Sequence, residues 1–199
     1  MRTECRSCHA FHNLGPPPKA STSPLENLIF VVPTVTFRLL YVLVILAHDR
    51  RQIVHVAVTE HPAAAWAAQQ LRNAFSENET PRYLLHDRDS VFADVATTFA
   101  GMNTQAVRTA PRSPWQNAYV ERVIGSIRRE CLDHVIVMNA AGLQRVLRDY
   151  VAYYMRSRTH LAPGKDTPSP RPVTPPSAGR IVALPEVGGL HHHYGRIAA

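Results

Sequence analysis

Asp87 lies in L-L-H-D-R-D-S, directly after an apolar run, and Glu121 lies in S-P-W-Q-N-A-Y-V-E-R, inside a stretch of helical periodicity. A carboxylate at a strand end and another on a later helix can share a divalent cation. Two such ions about 4 Å apart activate a water or a 3′ hydroxyl and stabilise the leaving oxygen of an in-line phosphoryl displacement. Carboxylate oxygens beside phosphate suit a hard ion, so magnesium is the expected metal, with manganese as its substitute. Taken singly, each residue has a plainer role: Asp87 as a turn or N-cap aspartate, Glu121 as a solvated helix residue. Asp89 directly precedes the next helical segment and is assigned that cap, with no part in metal binding.

Such a pair needs a sheet to hold one member and a helix to bring up the other. Leu28 to Val32, Leu39 to Leu46 and Ile53 to Val58 are β-branched or leucine-rich runs, with polar A-H-D-R-R-Q between the last two, and predict three adjacent antiparallel strands. Pro62 is placed to open a helix in which Ala63, Ala67, Leu71, Ala74 and Phe75 recur at helical spacing. Short strands at Tyr83 to Leu85 and Thr104 to Val107 flank a helix around Val91 to Phe99. The sum is an α/β mixed sheet, three antiparallel strands plus two further strands, with helices on both faces.

The helix bearing Glu121 turns Val120, Val123, Ile124, Ile127 and Cys131 toward the core. At about 100° per residue, Asn117, Glu121 and Arg128 share one border of that stripe. Glu121 is thereby expected to look along the sheet rim toward the strand end that carries Asp87. A second helix follows, with Leu143, Val146, Leu147, Tyr150, Val151 and Tyr154 on one face.

A chain of 199 residues buries one ordinary core. Proline-rich, aperiodic ends divide it into a disordered leader over 1–26, a core over 27–160 and a proline-rich tail over 161–199. The 22 Lys and Arg against 15 Asp and Glu favour a polyanionic partner. Arg108, Arg112, Arg122, Arg128 and Arg129 flank the proposed metal pair, where guanidinium groups can hold phosphates, and Trp115 and Gln116 are expected on a flexible loop beside them. Three cysteines make no disulfide framework, and the longest apolar run, Leu39 to Ala47, falls short of the roughly 20 residues that span a bilayer. C-R-S-C-H with His12 has the form of a haem-attachment word, and Cys5, Cys8, His9 and His12 the form of a zinc cluster. With no export signal, and with Cys8 and His9 adjacent, chance is the preferred explanation. The run His191, His192, His193 is read as native and without function.

The stretch A-P-R-S-P-W-Q-N-A-Y-V-E-R-V-I-G-S-I-R-R-E over 110–130, with L-L-H-D before it and F-V-V-P-T-V-T-F near the start, resembles the catalytic core of DDE transposases and retroviral-type integrases, of the insertion-element kind. The resemblance runs from about residue 30 to 199. It implies a ribonuclease H-like fold, Asp87 and Glu121 as catalytic metal ligands, and Arg112, Gln116, Asn117, Arg122, Arg128 and Arg129 as DNA contacts. Asn117, one turn before Glu121, would orient it or touch a phosphate. The implied activity is metal-dependent cleavage and transfer of DNA strands, by a homo-oligomer or a mixed multimer with an intact transposase, in the cytoplasm or at a bacterial nucleoid. One position departs from the pattern: where the family carries its first Asp, this chain has Leu28. Glu26 would share a strand face with Leu28 but lie roughly 6 to 7 Å away along the strand. The expectation is therefore a core that is truncated or inactive, with a non-catalytic nucleic-acid-binding or multimerising remnant as the alternative.

Overall fold

The computed structural model describes residues 24–75, 80–92, 95–102, 104–160 and 165–198. Most of the leader, with Cys5, Cys8, His9 and His12, lies outside the described residues. Strands β1 (Leu25–Pro33), β2 (Leu39–Ala47), β3 (Gln52–Thr59), β4 (Tyr83–His86) and β5 (Gln105–Arg108) form one sheet in the order β3-β2-β1-β4-β5. The first three are antiparallel neighbours, while β4 runs parallel to both β1 and β5. β2, L-L-Y-V-L-V-I-L-A, is apolar on both faces because it lies inside the sheet with a layer on each side.

One layer is α1 (Ala64–Ala74) with α2 (Val95–Ala100), whose Ala67, Leu71 and Phe99 pack over Leu25, Leu43, Ile45 and Leu84. The other is α3 (Ala118–Glu130) with α4 (Ala140–Arg156), over Phe30, Val32, Val42, Val44 and Val56. Adjacent residues of β1 therefore serve opposite layers, and its even-numbered positions face α3. Within α3, Val120, Val123, Ile124 and Ile127 are all buried, as their spacing predicts.

Several boundaries differ from expectation for local reasons. β1 starts at Leu25, because its pairing with β2 runs back to Ala47, so the first strand enters the segment assigned to the leader. Pro62 falls one residue before the N-cap Ala63 rather than in the first turn. The segment expected as one helix around 91–99 divides into a 3-10 turn, Ser90–Phe92, and α2. Trp115 and Gln116 sit on a 3-10 turn, Pro114–Asn117, that runs directly into α3, in place of a loop.

The tail also holds structure its prolines do not advertise. Strands β6 (Arg180–Glu186) and β7 (His191–Ile197) pair as a hairpin. Residues 166–168 are strapped to the β2–β3 turn: Arg50 donates to the carbonyls of Thr167 (2.7 Å) and Pro168 (2.8 Å) and to Asp166 (2.9 Å).

Candidate functional site

Asp87 follows the last residue of β4 and is half-buried. The parallel register pairs Leu25 with Leu84 and Glu26 with Leu85. The pairing ends there, so Leu28 lies two residues beyond the last paired residue of β1 and Asp87 two beyond Leu85. The Asp87 carboxylate is partly engaged, since its Oδ1 accepts from the Asp89 N–H at 2.9 Å and closes a turn. Asp89 takes the cap assigned to it, its Oδ1 accepting from the Val91 N–H at 3.0 Å. His86 donates from Nδ1 to the Asp87 carbonyl at 2.8 Å, and burial holds its imidazole below the ordinary value despite that bond. Arg88 reaches the Thr109 carbonyl at 3.0 Å, tying the segments that leave β4 and β5.

Glu121 sits exposed in the first turn of α3. Helix and strand are fastened at two levels. Glu26, 1% exposed, accepts from the Val120 N–H at 2.8 Å through Oε2, and Arg128 donates to the Val31 carbonyl at 3.3 Å. α3 therefore runs in the same direction as β1, with Glu121 one residue past the Glu26 anchor. Asp87 and Glu121 thus flank the same strand, Asp87 from the neighbouring strand and Glu121 from the helix above it.

The other oxygen of Glu26 is also occupied: His48 Nε2 donates to Oε1 at 2.6 Å. The His48 ring packs edge-on to Tyr119 at 5.0 Å, and Arg51 lies over the same Tyr119 ring at 5.3 Å. A carboxylate against the first-turn N–H groups satisfies donors that a helix leaves open, and its charge suits that end of the helix dipole. Sequence reasoning gave Glu26 no such role. The available signal was E-N inside an otherwise apolar strand, L-E-N-L-I-F-V-V, which puts a charge where burial demands a partner.

Arg112, Gln116, Arg122, Arg128 and Arg129 are exposed. Arg112 has a positive φ of 56°. Gln116 accepts from the Ala110 N–H at 2.6 Å, bracing the turn before α3, and Arg128 covers the Phe30 ring at 5.2 Å. Asn117 differs from these five. It is 4% exposed, and its Oδ1 has no hydrogen-bond partner.

The donor set bears on whether a metal pair fits. Leu28 offers no oxygen, both oxygens of Glu26 are engaged, and among the described residues no three of His, Cys, Asp and Glu form a group able to hold a metal ion. Asp87 and Glu121 remain as two carboxylates, short of the ligands that two bridging ions require. An intact two-metal centre does not fit these residues.

Residues 102–168 match the family model described as the integrase core domain. No curated protein matches the chain. Among solved structures, it is similar to a chain of the simian T-cell lymphotropic virus intasome in complex with a PP2A regulatory subunit, at 14% identity and a TM-score of 0.61, covering 96% of this chain and 74% of that one. The HTLV-2 integrase catalytic core domain, in complex with magnesium in a trimeric form, aligns at 10% identity and a TM-score of 0.55 over 74% of this chain and 93% of that one. The catalytic domain of the Mos1 mariner transposase aligns at 15% identity and a TM-score of 0.52 over 66% and 70%. The resemblance read from the 110–130 stretch therefore holds: this chain carries the ribonuclease H-like fold of integrase and transposase catalytic cores, and its 102–168 segment matches the integrase core domain.

Proposed function

We propose that this protein is a DNA-binding core of the integrase and transposase type that does not cleave DNA. The observation that carries the reading is the set of groups around the end of β1. Leu28 stands where the resemblance expects the first Asp, and the one acid of β1, Glu26, is committed to Val120 and His48. Asp87 and Glu121 are the remaining pair of a site that in an intact relative would hold magnesium or manganese and supply Lewis-acid activation of water or a 3′ hydroxyl. What this chain keeps is the means to hold DNA. Arg112, Gln116, Arg122, Arg128 and Arg129 present donors to phosphates beside the pair, while Asn117 is buried at the start of α3.

Among the described residues no helix is long and apolar enough to cross a membrane. The protein acts on DNA in the cytoplasm, at the nucleoid if the host is bacterial, as a homo-oligomer or in mixed multimers with an intact transposase. Multimerisation of this kind is supported by the intasome and the trimeric integrase core among the similar structures.

A supercoiled-plasmid nicking assay with magnesium or manganese tests the reading. The expected result is no nicking by the natural chain, and measurable nicking by Leu28→Asp, which supplies the carboxylate at the position where the resemblance expects the first Asp. Cleavage by the natural chain that Asp87→Asn abolishes would overturn it.

A further inference from the structure

A cavity of about 510 Å³ opens at the far end of α3 from Glu121, between the C-terminal ends of α3 and α4 and strand β7. Glu121 and Glu130 are separated by about 14 Å along the helix axis, so this cavity is distinct from the Asp87 and Glu121 site. Among the described residues its one carboxylate, Glu130, is neutralised. Arg158 grips both oxygens, at 2.7 Å from Nε and 2.6 Å from Nη2, and Tyr150 donates to Oε2 at 2.8 Å. The rest of the lining is basic or hydroxyl-bearing: Arg171, His191, His193, Ser157 and Thr159, with Tyr194 67% exposed at the side.

The hairpin is what builds this lining. His191 and His193 share the face of β7 turned to α4. His191 donates from Nε2 to the Glu130 carbonyl at 2.8 Å and stacks on Tyr153 at 4.2 Å between centroids and 8° between planes. His193 Nδ1 lies 3.5 Å from the Ser157 hydroxyl. Two imidazoles are therefore fixed on the cavity wall by protein contacts, and Arg171 faces the same space with an exposed side chain.

We propose that this cavity is a binding site for a nucleoside phosphate, with Arg171, His193 and the Ser157 and Thr159 hydroxyls on the phosphate and the Tyr194 ring against the base. The volume lies within the range of small-ligand pockets, a guanidinium supplies paired hydrogen bonds to phosphate oxygens, and an exposed aromatic ring stacks on any base. A free mononucleotide and a nucleotide of a DNA strand offer the same chemistry. Binding here needs neither Asp87 nor Glu121, so it stands or falls apart from the DNA-binding reading of that site.

The full chain is titrated, without divalent metal, with inorganic phosphate, with AMP and with a single-stranded oligonucleotide, following the His191 and His193 ring resonances. Phosphate and AMP are expected to move both, and Arg171→Ala to weaken AMP about tenfold, the scale of one lost charge-assisted hydrogen bond. Arg180→Ala, on the same hairpin but outside the lining, is expected to leave AMP affinity unchanged. An oligonucleotide that shows the same dependence on Arg171 identifies a strand as the source, and AMP binding without it identifies the free nucleotide. Resonances that phosphate and AMP leave unmoved, an unweakened Arg171→Ala, or an Arg180→Ala as damaging as Arg171→Ala would each overturn the site.

Discussion

Glu26 fastens the strand at the centre of the site to the helix that carries Glu121, and its two oxygens make separable contributions. The Val120 N–H is wholly buried and has Glu26 Oε2 as its acceptor at 2.8 Å. Removing the acceptor leaves a buried donor unpaired, which costs about 2 kcal/mol. Glu26→Ala is therefore expected to destabilise by about that amount in urea unfolding. Glu26→Gln, whose amide oxygen can still accept from Val120, is expected to lose less than half as much. Amide exchange at Val120 reports the mechanism, since it should quicken in the Ala variant ahead of Ile124 and Ile127, deeper in the same helix. Equal loss in both variants would assign the stabilisation to the His48 contact instead.

At the level of elements, α3 is pinned at both ends by carboxylates of opposite placement: Glu26 comes to its N-terminus from β1, and its own Glu130 ties its C-terminus to α4 through Arg158. Burial alone would raise the Glu130 carboxyl, but the hydrogen bonds from Arg158 and Tyr150 outweigh it and hold the group below its ordinary value of 4.5. Tyr150 shows the reciprocal effect, its phenol driven up by burial and by the Glu130 charge. A carboxyl depressed in the folded state contributes stability that is complete above the unfolded value and is lost as pH falls through the folded one. Melting temperature should accordingly drop, as pH falls below the ordinary value of 4.5, by more in the natural chain than in Glu130→Gln, which is expected to be already weaker at neutral pH. Parallel acid profiles for the two would remove Glu130 from the account. The same helix shows what was legible beforehand. Its apolar spacing located α3 and its buried face, because five apolar positions with period near 3.6 admit one orientation. Neither pin was legible, since each depends on a partner far along the chain, 94 residues away for Glu26 and 28 for Arg158.

For the whole molecule, a mixed sheet with three antiparallel strands and a helical layer on each face followed from runs such as L-L-Y-V-L-V-I-L-A, whose continuous hydrophobicity demands cover on both faces. The β6–β7 hairpin escaped notice because H-H-H-Y-G-R-I has no apolar alternation, its inward face being set by imidazoles against Tyr153 and Ser157. The commitment of Glu26 to Val120 and His48 could be seen only once the chain was folded. The formal net charge of +7 then acquires a direction, since exposed Arg112, Arg122, Arg128 and Arg129 sit on or next to α3. If these arginines neutralise DNA phosphates, each contact contributes about 0.9 to the slope of log affinity against log salt. Arg122→Ala should lower that slope by about 1 with no change in melting temperature, because this side chain is exposed on the helix surface. Arg128→Ala should lower it equally but also cost stability, because Arg128 bonds the Val31 carbonyl and covers the Phe30 ring. Anisotropy titrations of a duplex at several salt concentrations, run beside thermal melts, separate the two effects. A slope unmoved by either substitution would place the DNA on another face of the molecule.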